Sequence, residues 1–136
     1  MKVQVIYFSR KGSTKKVADV IASEMDVEPE DVKNVELKKD TIVFLGSGCY
    51  GGKPSKQIID FIEDNDFNGT SVGLFGTSGS GIGKEVDEME KQLSLKNAKI
   101  IGKFFCKGKF TIMNRDKPND KDLNEAKMFA NKLKHY

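Results

Sequence analysis

Three times along the chain, an apolar run of strand length stops abruptly in a tract of Gly, Ser and Thr, and a segment with helical spacing follows at once. The first run, residues 3–8, ends in Ser9-Arg10-Lys11-Gly12-Ser13-Thr14, ahead of Val17, Ala18, Val20, Ile21, Ala22 and Met25. The second, residues 41–45, is continuously apolar and ends in Gly46-Ser47-Gly48-Cys49-Tyr50-Gly51-Gly52-Lys53-Pro54. A helix capped near Ser55 follows it, with Ile58, Ile59, Phe61 and Ile62 as the inner face. The third, residues 71–75, ends in Gly76-Thr77-Ser78-Gly79-Ser80-Gly81, and Ile82, Val86, Met89 and Leu93 then recur at helical spacing. Strands alternating with helices predict parallel βαβ units in a sheet covered on both faces. Runs without polar alternation agree, because such strands are buried on both sides.

The rest of the chain completes this pattern. Residues 26–40 are polar; Pro29-Glu30-Asp31 reads as a turn, and Val35 and Leu37 alternate with charges as a short edge strand would. Residues 98–106 read as a further strand, and residues 107–119 as a basic, irregular segment with Lys107, Lys109, Arg115 and Lys117. The last helix starts near Asp120 and turns Leu123, Ala126, Ala130 and Leu133 inward. No repeat, low-complexity tract or linker divides the 136 residues, so a single domain over 1–136 is expected.

In a parallel sheet every loop that follows a strand leaves from the same, C-terminal edge, and ligands bind there where neighbouring helices diverge. The three small-residue tracts therefore share one edge. Connections on the opposite edge, such as Asp66-Phe67-Asn68-Gly69, lack this density of small residues. The first tract opens a helix, where free backbone N–H groups and the helix dipole attract anions and short hydroxyls add donors. The same residues also suit an ordinary N-cap, with Ser13 or Thr14 satisfying orphan amides.

Composition removes several function classes from the expectation. With 38% hydrophobic and 32% charged residues, the chain reads as a soluble globular protein, and no run approaches a membrane span. Met1-Lys2 leads straight into a strand pattern, which leaves no room for a signal peptide. Cys49 and Cys106 are far apart in sequence and make no disulfide framework, so a reducing cytoplasm is expected. The net charge of +3 comes with scattered lysines, unlike a nucleic-acid patch. No His, Cys or carboxylate spacing points to a metal, and no nucleophile has an evident base, so no catalytic residue is assigned. His135 reads as a solvated tail residue.

The first tract resembles the phosphate loop of the flavodoxin family, Thr/Ser-x-Thr-Gly-x-Thr, standing here as Ser9-Arg10-Lys11-Gly12-Ser13-Thr14. The second and third tracts resemble the two flavin-ring loops of short-chain members, and the likeness runs over essentially the whole chain. Nucleotide-binding patterns fit worse: there is no G-x-G-x-x-G after the first strand and no G-x-x-x-x-G-K-[ST]. The resemblance implies a three-layer α/β/α sandwich on a five-stranded parallel sheet of order 2-1-3-4-5. It also implies non-covalent FMN at the C-terminal edge and an electron-transfer function.

On that resemblance, Ser9, Arg10, Lys11, Gly12, Ser13 and Thr14 hold the phosphate, with Ser47 beside them. Gly48, Cys49, Tyr50, Gly51 and Gly52, together with Thr77, Ser78, Gly79 and Gly81, enclose the flavin. Tyr50 is implied to lie against one ring face, and the Gly51-Gly52 peptide to turn a carbonyl towards N5. The chain departs from the family in three places. Lys11 replaces an uncharged Thr, and either pairs with the phosphate or stands solvated. Ser78 and Ser80 replace an aromatic residue, leaving one flavin face open or covered by Phe110-Thr111-Ile112-Met113. The pI near 8.8 contrasts with the acidic electron carriers.

The implied partners are redox proteins or a small-molecule electron acceptor, with no nucleic acid, no membrane and a monomer favoured. Two alternatives stay open: a small FMN-dependent NAD(P)H:quinone-type reductase, and a flavodoxin-like binding module without cofactor. The basic segment is expected to border the flavin edge, either docking an acidic partner or a nicotinamide nucleotide phosphate, or standing as a solvated loop.

Overall fold

The structure, a computed structural model, describes residues 2–109, 114–134 and 136. Five strands form one parallel sheet: β1 (Val3–Phe8), β2 (Pro29–Asp31), β3 (Ile42–Gly48), β4 (Ser71–Ser78) and β5 (Lys99–Lys107), in the order β2-β1-β3-β4-β5. The helices α1 (Ser13–Met25), α2 (Lys56–Asp64), α3 (Lys84–Leu95) and α4 (Asp120–Leu133) cover its two faces. The expected fold class and strand order are those observed.

Side chains of a strand alternate between faces, so each buried strand feeds two cores. Ile6, Val43, Leu45, Val72 and Leu74 pack against α2 and α3 through Ile58, Ile62, Val86, Met89 and Leu93. Val5, Phe44 and Phe75 face the other way, against Val17, Ala18 and Ile21 of α1 and Ala126, Ala130 and Leu133 of α4. Small residues in α4 let the helix sit close to the sheet. Leu133 rests directly over Gly73 and Gly102, where an added Cβ would meet its methyl groups at 3.0 and 3.1 Å. Among the described residues no helix is long and apolar enough to cross a membrane.

Two of the expected helix starts are met. The Ser55 hydroxyl accepts from the Ile58 amide at 3.2 Å ahead of α2, and Asn119 and Asp122 cap α4 reciprocally. Other boundaries differ. The edge strand is Pro29–Asp31, paired with Val5, Ile6 and Tyr7, and residues 35–37 form no strand. A proline suits that edge because it has no N–H to donate outward. The segment around Glu36 is held instead by the buried Gln4 side chain. Its amide donates to the Glu36 carbonyl at 2.8 Å, and its oxygen accepts from the Lys38 amide at 3.1 Å. Ile82 is not on the inner stripe of α3: it precedes the helix and is 57% exposed. Residues 46–48 and 76–78 continue their strands rather than beginning loops. Small residues permitted this, because neighbours fill the space above them.

Gly46 shows this most clearly, since a Cβ there would overlap the ring of Phe75, its neighbour on β4. Gly46→Ala is therefore expected to destabilise the chain by about 1–3 kcal/mol, the usual cost of overfilling a packed core. A urea melt reads this as a lower midpoint with an unchanged slope. An unchanged midpoint would mean that the Phe75 ring moves aside without strain.

Candidate functional site

The C-terminal ends of β1, β3 and β4 open into a cleft of about 330 Å3. Ser9, Arg10, Lys11, Ser13 and Thr14 line it from the first tract, Gly48, Cys49, Tyr50 and Gly51 from the second, and Thr77, Ser78 and Gly79 from the third. The remaining expected positions, Gly12, Ser47, Gly52 and Gly81, belong to the same tracts but are not part of the lining. Gly108 and Lys109 complete the wall; Lys109 belongs to the basic segment expected to border this edge, and Gly108 is the position not anticipated. The signal for Gly108 was a fourth small residue following a strand.

The first loop is shaped by Gly12, which stands at φ +96°, a left-handed conformation that glycine adopts without a Cβ penalty. It precedes α1 with no side-chain cap, so the two hydroxyls that follow do not act as caps. Ser13 Oγ instead accepts from the Lys109 amide at 2.8 Å, and Thr14 Oγ1 lies 2.8 Å from Thr77 Oγ1. Ser9 Oγ accepts from the Gly12 amide at 3.0 Å and closes the turn. The N-terminus of a 13-residue helix, with its partial positive charge, thus faces the cleft.

The second loop is a tight reversal. Tyr50 and Lys53 exchange backbone hydrogen bonds of 2.7 and 3.3 Å, and Gly51 and Gly52 between them both have positive φ. That pair of angles marks a type I′ turn, which side chains oppose. Ser47 is wholly buried and fixes the base of this loop. Its hydroxyl accepts from the Ser55 amide at 2.9 Å and donates to the Gly48 carbonyl at 2.7 Å. Tyr50 leans across Gly48 to the first loop, where its hydroxyl accepts from the Arg10 amide at 3.2 Å. The Arg10 guanidinium stands 4.5 Å from the centre of the Tyr50 ring.

The third loop is tied to the segment after β5. Ser78 Oγ accepts from the Gly81 amide at 2.8 Å, the Gly108 amide donates to the Ser78 carbonyl at 2.9 Å, and Asn114 Nδ2 donates to the Gly79 carbonyl at 2.9 Å. The expected cover of the cleft by residues 110–113 lies outside the described residues, as does His135.

The lining carries the cations Arg10, Lys11 and Lys109 and, among the described residues, no carboxylate. Lys53, Lys84 and Lys107 are exposed near the same edge. Burial pushes up both the Tyr50 phenol, with Arg10 partly opposing, and the Cys49 thiol, which the nearby Glu85 carboxyl raises further. Both cysteines are free, and burial pushes the Cys106 thiol up to about 12, so it stays protonated and inert. Among the described residues no cluster of His, Cys, Asp or Glu could hold a metal ion. Donor amides, hydroxyls and cations around an aromatic ring suit a small ligand with an anionic group and a flat, polarisable body.

Comparison with known proteins agrees with this geometry. A model of the flavodoxin domain matches residues 4–114. The chain is 34% identical to a flavodoxin-like domain-containing protein, BilS, of Clostridioides difficile, over 80% of this chain and 67% of that one. It is 31% identical to a flavodoxin of Clostridium beijerinckii over 68% of this chain and 75% of the other. Among solved structures, oxidised flavodoxin 1 of Bacillus cereus superposes with a TM-score of 0.76 at 22% identity, covering 100% of this chain and 99% of that one. With its sheet order, its three converging loops and these matches, the chain belongs to the flavodoxin family.

Proposed function

We propose that the chain binds FMN non-covalently in the cleft and carries electrons between redox partners. The observation that carries this reading is the start of α1, which has no side-chain cap and is ringed by Ser9, Ser13 and Thr14 with Arg10, Lys11 and Lys109. Such a site suits a terminal phosphate dianion, held by amides, hydroxyls and charge-assisted bonds. Tyr50 supplies aromatic surface for a flavin ring. The Gly51-Gly52 turn brings bare backbone to the cleft, where a ring can approach closely. Ser47 and the Thr14–Thr77 contact tie these elements together through bonds that the chain makes with itself. Bound flavin supplies the reversible electron chemistry; the protein binds and orients it. Two free thiols accord with a cytoplasmic location.

Titration of the apoprotein with FMN, FAD and riboflavin tests the reading. FMN is expected to bind at least about a hundredfold tighter than riboflavin, since hydrogen bonds to a charged group contribute about 1.5–3 kcal/mol each. Equal affinities would mean that the first loop is not a phosphate site. Rapid reduction by NAD(P)H with no second protein would mark a self-sufficient reductase instead of a carrier.

The cations around the cleft also set the polarity of a protein partner. Electron transfer with a small acidic redox protein is expected to slow at least about tenfold between ~0.01 and ~0.15 M salt, as charge steering is screened. Rates that stay flat with salt, or that are faster with a basic protein, would remove the acidic partner from the proposal.

A further inference from the structure

Glu85 is the only acidic or basic side chain among the described residues that is wholly buried, with 0% exposure. It occupies the first turn of α3 and lies over Gly76 of β4, where its carboxyl takes the space that a Cβ at Gly76 would need. Neither carboxyl oxygen has a hydrogen bond of good geometry among the described residues, and its own amide and the Cys49 thiol offer it only weak contacts. Burial pushes this carboxyl up to about 7; its own amide and the Cys49 thiol offset part of that shift, and Asp87 adds to it. The titratable groups that face it are Cys49 from the loop after β3, Cys106 from β5 and Asp87 on its own helix. None of them carries positive charge, and Lys84, its chain neighbour, is exposed.

A buried carboxyl so poorly partnered is a liability that an apolar side chain of similar shape would remove. Its placement gives it another consequence. Cys49 lines the cleft, and Thr77 and Ser78, next to Gly76, line it too. The carboxyl therefore stands one side chain behind the ligand site, in a medium where charge is poorly screened.

We propose that Glu85 is a positioning residue that links proton binding to ligand binding: neutral, it leaves the cleft open to an anionic ligand, and ionised, its buried charge behind Cys49 opposes that ligand. The inference rests on the cleft being the FMN site. Linkage is reciprocal, so FMN must also make Glu85 hold its proton more tightly.

Carbon-13 NMR of the Glu85 carboxyl reads this in the unaltered chain. It is expected to titrate near neutrality in the apoprotein and at higher pH with FMN bound, with a smaller change for riboflavin. In parallel, the ratio of FMN dissociation constants for wild type and Glu85→Gln cancels the titration of the phosphate itself. That ratio is expected to rise about fivefold or more between pH 6 and 8, within the usual range of coupling between sites.

Stability supplies a further readout. The folded carboxyl holds its proton more tightly than the unfolded one, so this contribution is complete at low pH and is lost as pH rises through about 7. The folding constant of the wild type relative to Glu85→Gln or Glu85→Met should fall up to about tenfold per pH unit between the ordinary glutamate value, about 4.3, and about 7. A Glu85 that titrates as an ordinary carboxylate, an equal midpoint with and without FMN, an equal shift with riboflavin, or a flat ratio would each overturn the inference. FMN that binds while the midpoint stays fixed overturns this inference alone. FMN that fails to bind at any pH overturns the proposed function, and this inference with it.

Discussion

All five strands of the sheet point the same way, and the site depends on that constraint more than on any one residue. Parallel strands cannot be joined by tight hairpins, so each connection must cross over a face, and α1, α2 and α3 make three of the four crossings. The crossovers bury both faces, and they send every loop that follows a strand to a single edge. Four such loops meet there, and direct bonds hold them together. Thr14 to Thr77, Ser13 to Lys109 and Arg10 to Tyr50 each join two different loops. The cleft is thus a property of the topology, trimmed by hydroxyls.

Much of this was legible in the sequence because burial on two faces leaves a simple trace. Largely apolar runs marked β1, β3 and β4, and a Ser cap marked the start of α2. What escaped was governed by tertiary contacts. Alternation at Val35 and Leu37 looked like a strand, yet both side chains only pack onto the core while Gln4 holds the backbone between them. Glycines at 46 and 76 looked like loop residues, because nothing in a sequence shows that Phe75 or Glu85 lies above them. Ile82 fitted the period of α3 but stands before its first turn.

The candidate site was legible to a different degree. Twelve of the sixteen expected positions line the cleft, because small residues after strands have few other uses at that edge. The other four show the limit of proximity in sequence. Ser47 is a hydroxyl in the right tract, but its strand turns it away from the cleft to anchor Ser55. Roles within the site were less visible than membership. Ser13 and Thr14 read equally well as caps or ligands, and their hydroxyls in fact bridge to Lys109 and Thr77.

The Gln4 side chain has one more consequence. β2 is only three residues long, which would leave the start of β1 with unpaired amides and carbonyls along an open margin. By bonding Glu36 and Lys38, Gln4 draws a stretch of its own chain across that margin, where another molecule's strand could otherwise add. At the far side of the sheet, β5 carries exposed lysines at 99, 103 and 107, which repel a second copy laid alongside. Both margins of the sheet thus carry features that discourage a further strand from adding, while the end that holds the cleft stays open.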